Sequence, residues 1–198
     1  MPTQSRVPQI TLLDDVEKCE KEVIERLLLI PNGKSVRIII NSGGGSVYSS
    51  LAICTILKMK KLKAEAIVLA DCSSSAIMIF AACRTRKVAP HASFLFHPMR
   101  WTSEEQARLS GAKSWSVEFN RVNAVCEHFL VENLGIPLKT LRLWTREERY
   151  IQAQEMFDLG LAEPLDLAPE GVIDITARPR RRAAAAAARP AARLRKTG

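Results

Sequence analysis

The run Val36-Arg37-Ile38-Ile39-Ile40 breaks directly into Asn41-Ser42-Gly43-Gly44-Gly45, and Ser46 then opens a helical stretch. Four β-branched residues in five favour an extended segment, of the kind buried on both faces in a parallel sheet. Three consecutive glycines permit a tight turn and close backbone approach. The plan then repeats. Ala66-Ile67-Val68-Leu69 reads as a strand, Asp71-Cys72-Ser73 as a turn, and Ser74 to Ala82 as an apolar helix. Strand–loop–helix units with short connections predict an α/β fold.

The flanking segments fit that frame. Asp14 or Asp15 caps a helix running to about Leu29, with Val16, Val23, Leu27 and Ile30 on its apolar side; Pro31-Asn32-Gly33 ends it. The helix opened by Ser46 runs to about Lys60. Lys87-Val88-Ala89 and Ser93-Phe94-Leu95-Phe96 are further strands, the second leading into His97-Pro98. Ser103 to Asn133 reads as one long helix or a broken pair, Leu138 to Trp144 as a short helix, and Tyr150-Ile151 as a strand. Ala153 to Leu159 forms a helix that Gly160 closes.

Charge divides the chain. Eight of the 29 basic residues lie beyond position 177, where no acid occurs, so residues 1–177 hold 21 bases against 21 acids. We therefore read one domain over 1–177 and a basic Ala/Arg-rich tail over 178–198. The tail has too few core-forming residues to fold alone and no interleaved aromatics for stacking on bases. It predicts a solvated, disordered extension rather than a nucleic-acid-binding arm. No apolar run reaches the ~20 residues of a membrane helix, and the N-terminus lacks a secretory h-region. The five cysteines are scattered, without C-x-x-C or Cys/His ligand spacing, which predicts buried thiols in a reducing cytoplasm and no metal site.

Three pieces carry candidate chemistry, and each alone has a plain structural reading. The glycine loop before Ser46 is either a turn or a holder of an anion, whether a phosphate or an oxyanion; without a following G-K-[ST] it is not a P-loop. Ser73-Ser74-Ser75 at a strand-to-helix junction supplies either helix caps or an exposed nucleophile. His97, ending an apolar strand, is either structural or a base.

In combination they resemble the ClpP family of serine peptidases. That family has a strand ending Asn-Ser-Pro-Gly-Gly, a Gly-x-Ala-x-Ser-Met-Gly turn, a helix ending Ala-Ala-Gly, and a strand ending His-x-Pro. The counterparts here are Asn41 to Gly45, Ala70 to Ala76, Ala81-Ala82-Cys83 and Ser93 to Pro98. The family's Thr-x-x-Asp-Arg-Phe and Tyr-Gly-Leu-(Ile/Val)-Asp are similar to Thr145 to Tyr150 and Leu159 to Glu163. The likeness extends from about Asp14 to Pro164.

The resemblance implies a ClpP/crotonase-like spiral of strand–strand–helix units with a long protruding helix, over 103–133. It implies Ser74 as nucleophile, His97 as general base, Glu148 as the acid that orients the histidine, and the backbone N–H groups of Gly45 and Ser75 as oxyanion hole. No cofactor is implied. The expected activity is serine endopeptidase cleavage of peptides or unfolded proteins inside a ring-shaped homo-oligomer, with rings stacked through the long helix. Along that helix, Trp115, Val122, Val125 and Phe129 form the apolar stripe. Met99 and Trp101 fall where substrate would lie. Four features depart from the family: Glu148 for aspartate, Gly43 for proline, Ala76 for glycine, and a loop two residues shorter between Ala82 and His97. Few residues precede the first helix, where the family carries the axial loops that engage a hexameric AAA+ unfoldase, so that partner stays open. A non-proteolytic scaffold subunit of a mixed ring, a crotonase-like acyl-CoA enzyme and a phage-type head-maturation peptidase are the alternatives.

Overall fold

The structure, a computed structural model, describes residues 7–100 and 109–166. Trp101, the start of the long helix at Ser103 and the basic tail lie outside these residues. In chain order the elements are β1 (Gln9–Leu12), α1 (Val16–Leu29), β2 (Ser35–Ser42), α2 (Val47–Met59), β3 (Lys63–Cys72), α3 (Ala76–Ala82), β4 (Thr85–Val88) and β5 (Ser93–Phe96). They continue with α4 (Leu109–Leu134), α5 (Leu138–Arg146), β6 (Arg149–Gln152), α6 (Ala153–Asp158) and β7 (Glu163–Pro164).

Strands β1-β2-β3-β4-β7 pair in that order, all parallel. β5 leaves this sheet, touching β3 only at Asp71↔Ser93 and running antiparallel to β6. The result is an α/β fold on a mixed, mostly parallel sheet. β1 was not foreseen. Its four residues alternate polar and apolar, with Ile10 and Leu12 buried, but so short a run gives little signal.

β2 and β3 are not buried on both faces, as their composition suggests. One face is sealed by Val36, Ile38, Ile40, Ala64, Ala66 and Val68, while Arg37, Ile39, Glu65 and Ile67 are half-exposed on the other. The reason lies in the charges. Arg37 pairs directly with Glu65 across the ladder, its Nε donating to Glu65 Oε2 at 2.6 Å, and Lys87 Nζ on β4 reaches Glu65 Oε1 at 3.2 Å. Burial works against the Glu65 anion, but the bonds from Arg37 and Lys87 outweigh it and hold its carboxyl below the usual range.

α3 is buried from Ala76 to Ala81, which suits its uniformly apolar sequence. Its Phe80 packs on Phe94 of β5 with centroids 5.0 Å apart, and Phe96 packs on Trp144 of α5 at 5.2 Å. These contacts tie the helix after Ser74 and the strand before His97 into one core. On α4, Val122 is buried and Phe129 half-buried, whereas Trp115 and Val125 are 50% and 40% exposed, so the expected stripe is only partly covered within the chain. Among the described residues no helix is long and apolar enough to cross a membrane.

Candidate active site

The three serines after β3 differ in what holds them. The expected turn at Asp71-Cys72 is still strand, because Asn41 Oδ1 accepts the Asp71 N–H at 3.1 Å and Ser42 pairs with Cys72. The chain therefore turns only at Ser73-Ser74. Ser73 is buried; its hydroxyl donates to Asp71 Oδ1 and accepts the Leu95 N–H at 3.2 Å. Ser75 is buried as well, with no hydrogen-bond partner for its Oγ. Ser74 alone is partly exposed, and its φ is +54°. A non-glycine residue in the left-handed region is a strained elbow, kept by its surroundings. Here the Ser74 N–H donates to the Leu95 carbonyl at 2.9 Å. With Leu95 N–H on Ser73, two bonds lock the elbow to β5 two residues before His97.

Facing the elbow is the glycine loop. Gly44 and Gly45 have φ of +104° and +129°. A Cβ on Gly44 would stand 2.6 Å from Ser74 Cβ and 2.8 Å from the Ser73 carbonyl, so only glycine fits there. The β1–α1 connection fixes the loop from behind. Val16 N–H donates to the Gly44 carbonyl at 2.8 Å, Ser42 Oγ donates to the Asp14 carbonyl at 2.7 Å, and Gly44 N–H donates to Ser42 Oγ at 3.2 Å. Glu17 Oε2 accepts the Ser46 N–H at 2.6 Å, placing a carboxylate at the start of α2 against Gly45. Among the described residues, neither the Gly45 nor the Ser75 N–H has an intramolecular acceptor. Both remain available as donors.

His97 is half-buried, with Nδ1 2.7 Å from the carbonyl oxygen of Pro98. A carbonyl only accepts, so Nδ1 carries a proton, and in the neutral ring Nε2 is then the acceptor. No hydrogen bond joins Ser74 Oγ to His97 in this arrangement, although both line one cavity of about 510 Å³. The β5–β6 ladder pairs Leu95 with Tyr150 and ends at Phe96↔Arg149, so His97 and Glu148 are each the next residue beyond its last pair, where Glu148 turns out of the strand at φ +49°. The Glu148 carboxylate is turned from the imidazole, however. Both its oxygens accept from Arg100 Nη2, at 2.9 and 3.0 Å.

The cavity is walled by Val47, Ile77, Met78, Phe119, Val122 and Leu130, and Met99 also lines it. At its edge Tyr48 Oη donates to Glu118 at 3.1 Å, and Arg121 holds the same carboxylate and lowers its pKa to about 2. The site thus offers a partly exposed serine, an imidazole held through its Nδ1 and two unengaged N–H donors above an apolar recess.

The Clp protease family model matches residues 5–165. The chain belongs to the Clp protease family. Relatives include the ATP-dependent Clp protease proteolytic subunit 1 of Corynebacterium glutamicum, 23% identical over 158 residues that cover 77% of this chain and 74% of that protein. Subunit 2 from Prochlorococcus marinus subsp. pastoris is 28% identical over 135 residues, covering 67% of this chain and 66% of that protein.

Three residues of this Clp protease homologue escaped the sequence reading. Gly44 is the glycine that abuts Ser74, a role that the identical neighbours in Gly43-Gly44-Gly45 hide. Pro98 and Arg100 follow His97 closely and act on its surroundings through a main-chain carbonyl and an ion pair. Pro98 entered the sequence reading only as part of the His97-Pro98 match, and Arg100 not at all.

Proposed function

We propose that the chain is a serine endopeptidase of peptides or unfolded proteins, with Ser74 as nucleophile and His97 as base. The observation that carries this is the Ser74 elbow. Its positive φ and its bond to Leu95 direct the hydroxyl into the cavity that His97 lines. In the reaction, His97 Nε2 takes the Ser74 proton as Oγ attacks the scissile carbonyl carbon. The N–H groups of Gly45 and Ser75 hold the resulting oxyanion, each such donor being worth about 10²–10³ in rate. His97 returns the proton to the leaving amine, and a water deprotonated by His97 hydrolyses the acyl-enzyme. Glu148, the residue before β6 and next to the Arg149↔Phe96 pair, is the acid proposed to orient the imidazole. The apolar cavity walls suit an apolar substrate side chain.

With the family likeness we further propose the spiral arrangement of the units and a cytoplasmic ring-shaped homo-oligomer enclosing the sites, and, from the charge division of the sequence, a peptidase domain over 1–177 followed by a basic tail. Fluorophosphonate labelling of the purified protein, with mass spectrometry to locate the adduct, tests the proposal. Labelling at Ser74 that fails in Ser74→Ala and His97→Ala supports it; no adduct in the assembled oligomer defeats it.

A scaffold subunit with little activity is the second reading, favoured by the engagement of Glu148 with Arg100 and the missing Ser74–His97 bond. An acyl-CoA enzyme fits less well. The carboxylate of Glu17 already occupies the start of α2, where an anionic phosphate would bind.

A further inference from the structure

Glu148 and His97 are each the residue next beyond the last pair of the β5–β6 ladder, Arg149↔Phe96. Arg100, three residues after His97, reaches back to the Glu148 carboxylate, so the acid lies beside the segment that carries the imidazole. Yet Glu148 lies at φ +49°, with its carboxylate on Arg100 and the His97 Nδ1–H on the Pro98 carbonyl.

The other charged groups near His97 have partners of their own. Glu118 is held by Arg121, Glu127 by Arg142 at 2.8 Å, and Arg149 by Glu155 at 2.8 Å. On β3, Asp71 accepts from Ser73. Glu148, next to the residue that pairs with Phe96, is the remaining acid beside the end of β5, and Arg100 is its cation.

Resting on the peptidase reading above, we infer that Arg100 is a positioning residue: a latch that holds Glu148 off His97 and keeps the site at a Ser–His dyad until the ion pair opens. The latch is weak by construction. Its side chains are 69% and 51% exposed, and exposed pairs exchange readily with water. Opening it frees the carboxylate to take the Nδ1–H from the Pro98 carbonyl. A charge-assisted bond then replaces a neutral one and strengthens His97 as a base. Anything that draws the Arg100 guanidinium away, such as an acidic group on a substrate or a neighbouring subunit, would complete the triad.

The test compares wild type, Arg100→Gln and Arg100→Gln/Glu148→Gln. The Ser74 fluorophosphonate labelling rate is measured, together with the His97 ring N–H resonance by ¹H–¹⁵N NMR. In Arg100→Gln, labelling is expected to rise about tenfold. The Nδ1 proton should move downfield, as a bond to a carboxylate requires. Both changes should vanish in the double variant. An Arg100→Gln protein with an unshifted ring proton overturns the latch, as does a gain that survives loss of Glu148. The resonance reads the latch even in an unreactive protein. A shifted proton without labelling therefore defeats the peptidase reading alone, and Ser74 labelling without a shift defeats the latch alone.

Discussion

The backbone N–H of Ser74 donates to the carbonyl of Leu95 at 2.9 Å, a hydrogen bond that joins the Ser74 elbow to the strand leading into His97. The bond matters because neither side fixes the site alone. Ser74 sits in a left-handed conformation that its own sequence disfavours, and β5 contacts β3 at a single register pair. The Phe80–Phe94 packing beneath supplies the rigidity that holds both.

The strain at the elbow is measurable. A left-handed non-glycine residue costs about 1 kcal/mol, and glycine escapes that cost. Ser74→Gly should therefore exceed Ser74→Ala in stability by about 1 kcal/mol in urea unfolding. Both should lose labelling. Equal stability of the two variants would mean that the elbow carries no strain.

The consecutive glycines of the loop should respond in opposite ways. Gly44→Ala forces a Cβ to 2.6 Å from Ser74 Cβ at a φ of +104°. It should cost about 1–3 kcal/mol of stability. By displacing the loop it should also slow Ser74 labelling by about 10²-fold or more. A Cβ on Gly43 meets only Asp71 Oδ2, at 3.8 Å, and its φ lies outside the left-handed range. Gly43→Ala should hold or raise stability by about 0.4–1 kcal/mol, because it restricts the unfolded chain. Urea titration of both variants decides the matter.

These contrasts mark where the sequence was legible. The strand–loop–helix rhythm located β2, α2, β5 and α5 to within a few residues, since apolar periodicity and glycine or serine boundaries record local preferences. The order Gly loop, Ser74, His97 placed the candidate site in one cavity. The outward face of β2 and β3 could not be read from Ile39 and Ile67, because its exposure depends on which elements cover it. The orientation of Glu148 was equally hidden. Position puts it beside the end of β5, but the partner its carboxylate takes, here Arg100, is set by three-dimensional competition.

The thiols supply an independent check on packing. Cys54, Cys72, Cys83 and Cys126 are buried, while Cys19 is half-buried on α1. Burial pushes the Cys83 thiol up to about 12 and the Cys126 thiol to about 11, and raises Cys54 and Cys72 as well. Thiolate is the reactive form, so these four should resist N-ethylmaleimide in the folded protein. Intact-mass spectrometry at neutral pH should find one rapid adduct, at Cys19, and five after denaturation. Rapid native labelling of Cys126, which borders the cavity, would indicate that α4 opens away from α3.

Glu65 links the sheet to pH. Its folded carboxyl lies below the ordinary value of 4.5, because the bonds from Arg37 and Lys87 overcome the effect of burial. A depressed carboxylate contributes its stabilisation above the unfolded value and loses it as pH falls through the folded one. The contribution should be complete at neutral pH and begin to fade below about pH 4.5. Glu65→Gln keeps the shape but removes the charge that separates two cations on neighbouring strands. It should cost about 1 kcal/mol or more at pH 7, and the gap to wild type should close steadily as the pH is lowered through the acid range. Urea midpoints for both proteins between pH 7 and pH 3 test this. A gap that stays constant across the range would assign the loss to packing around the β2–β3–β4 ladder rather than to the ion pairs.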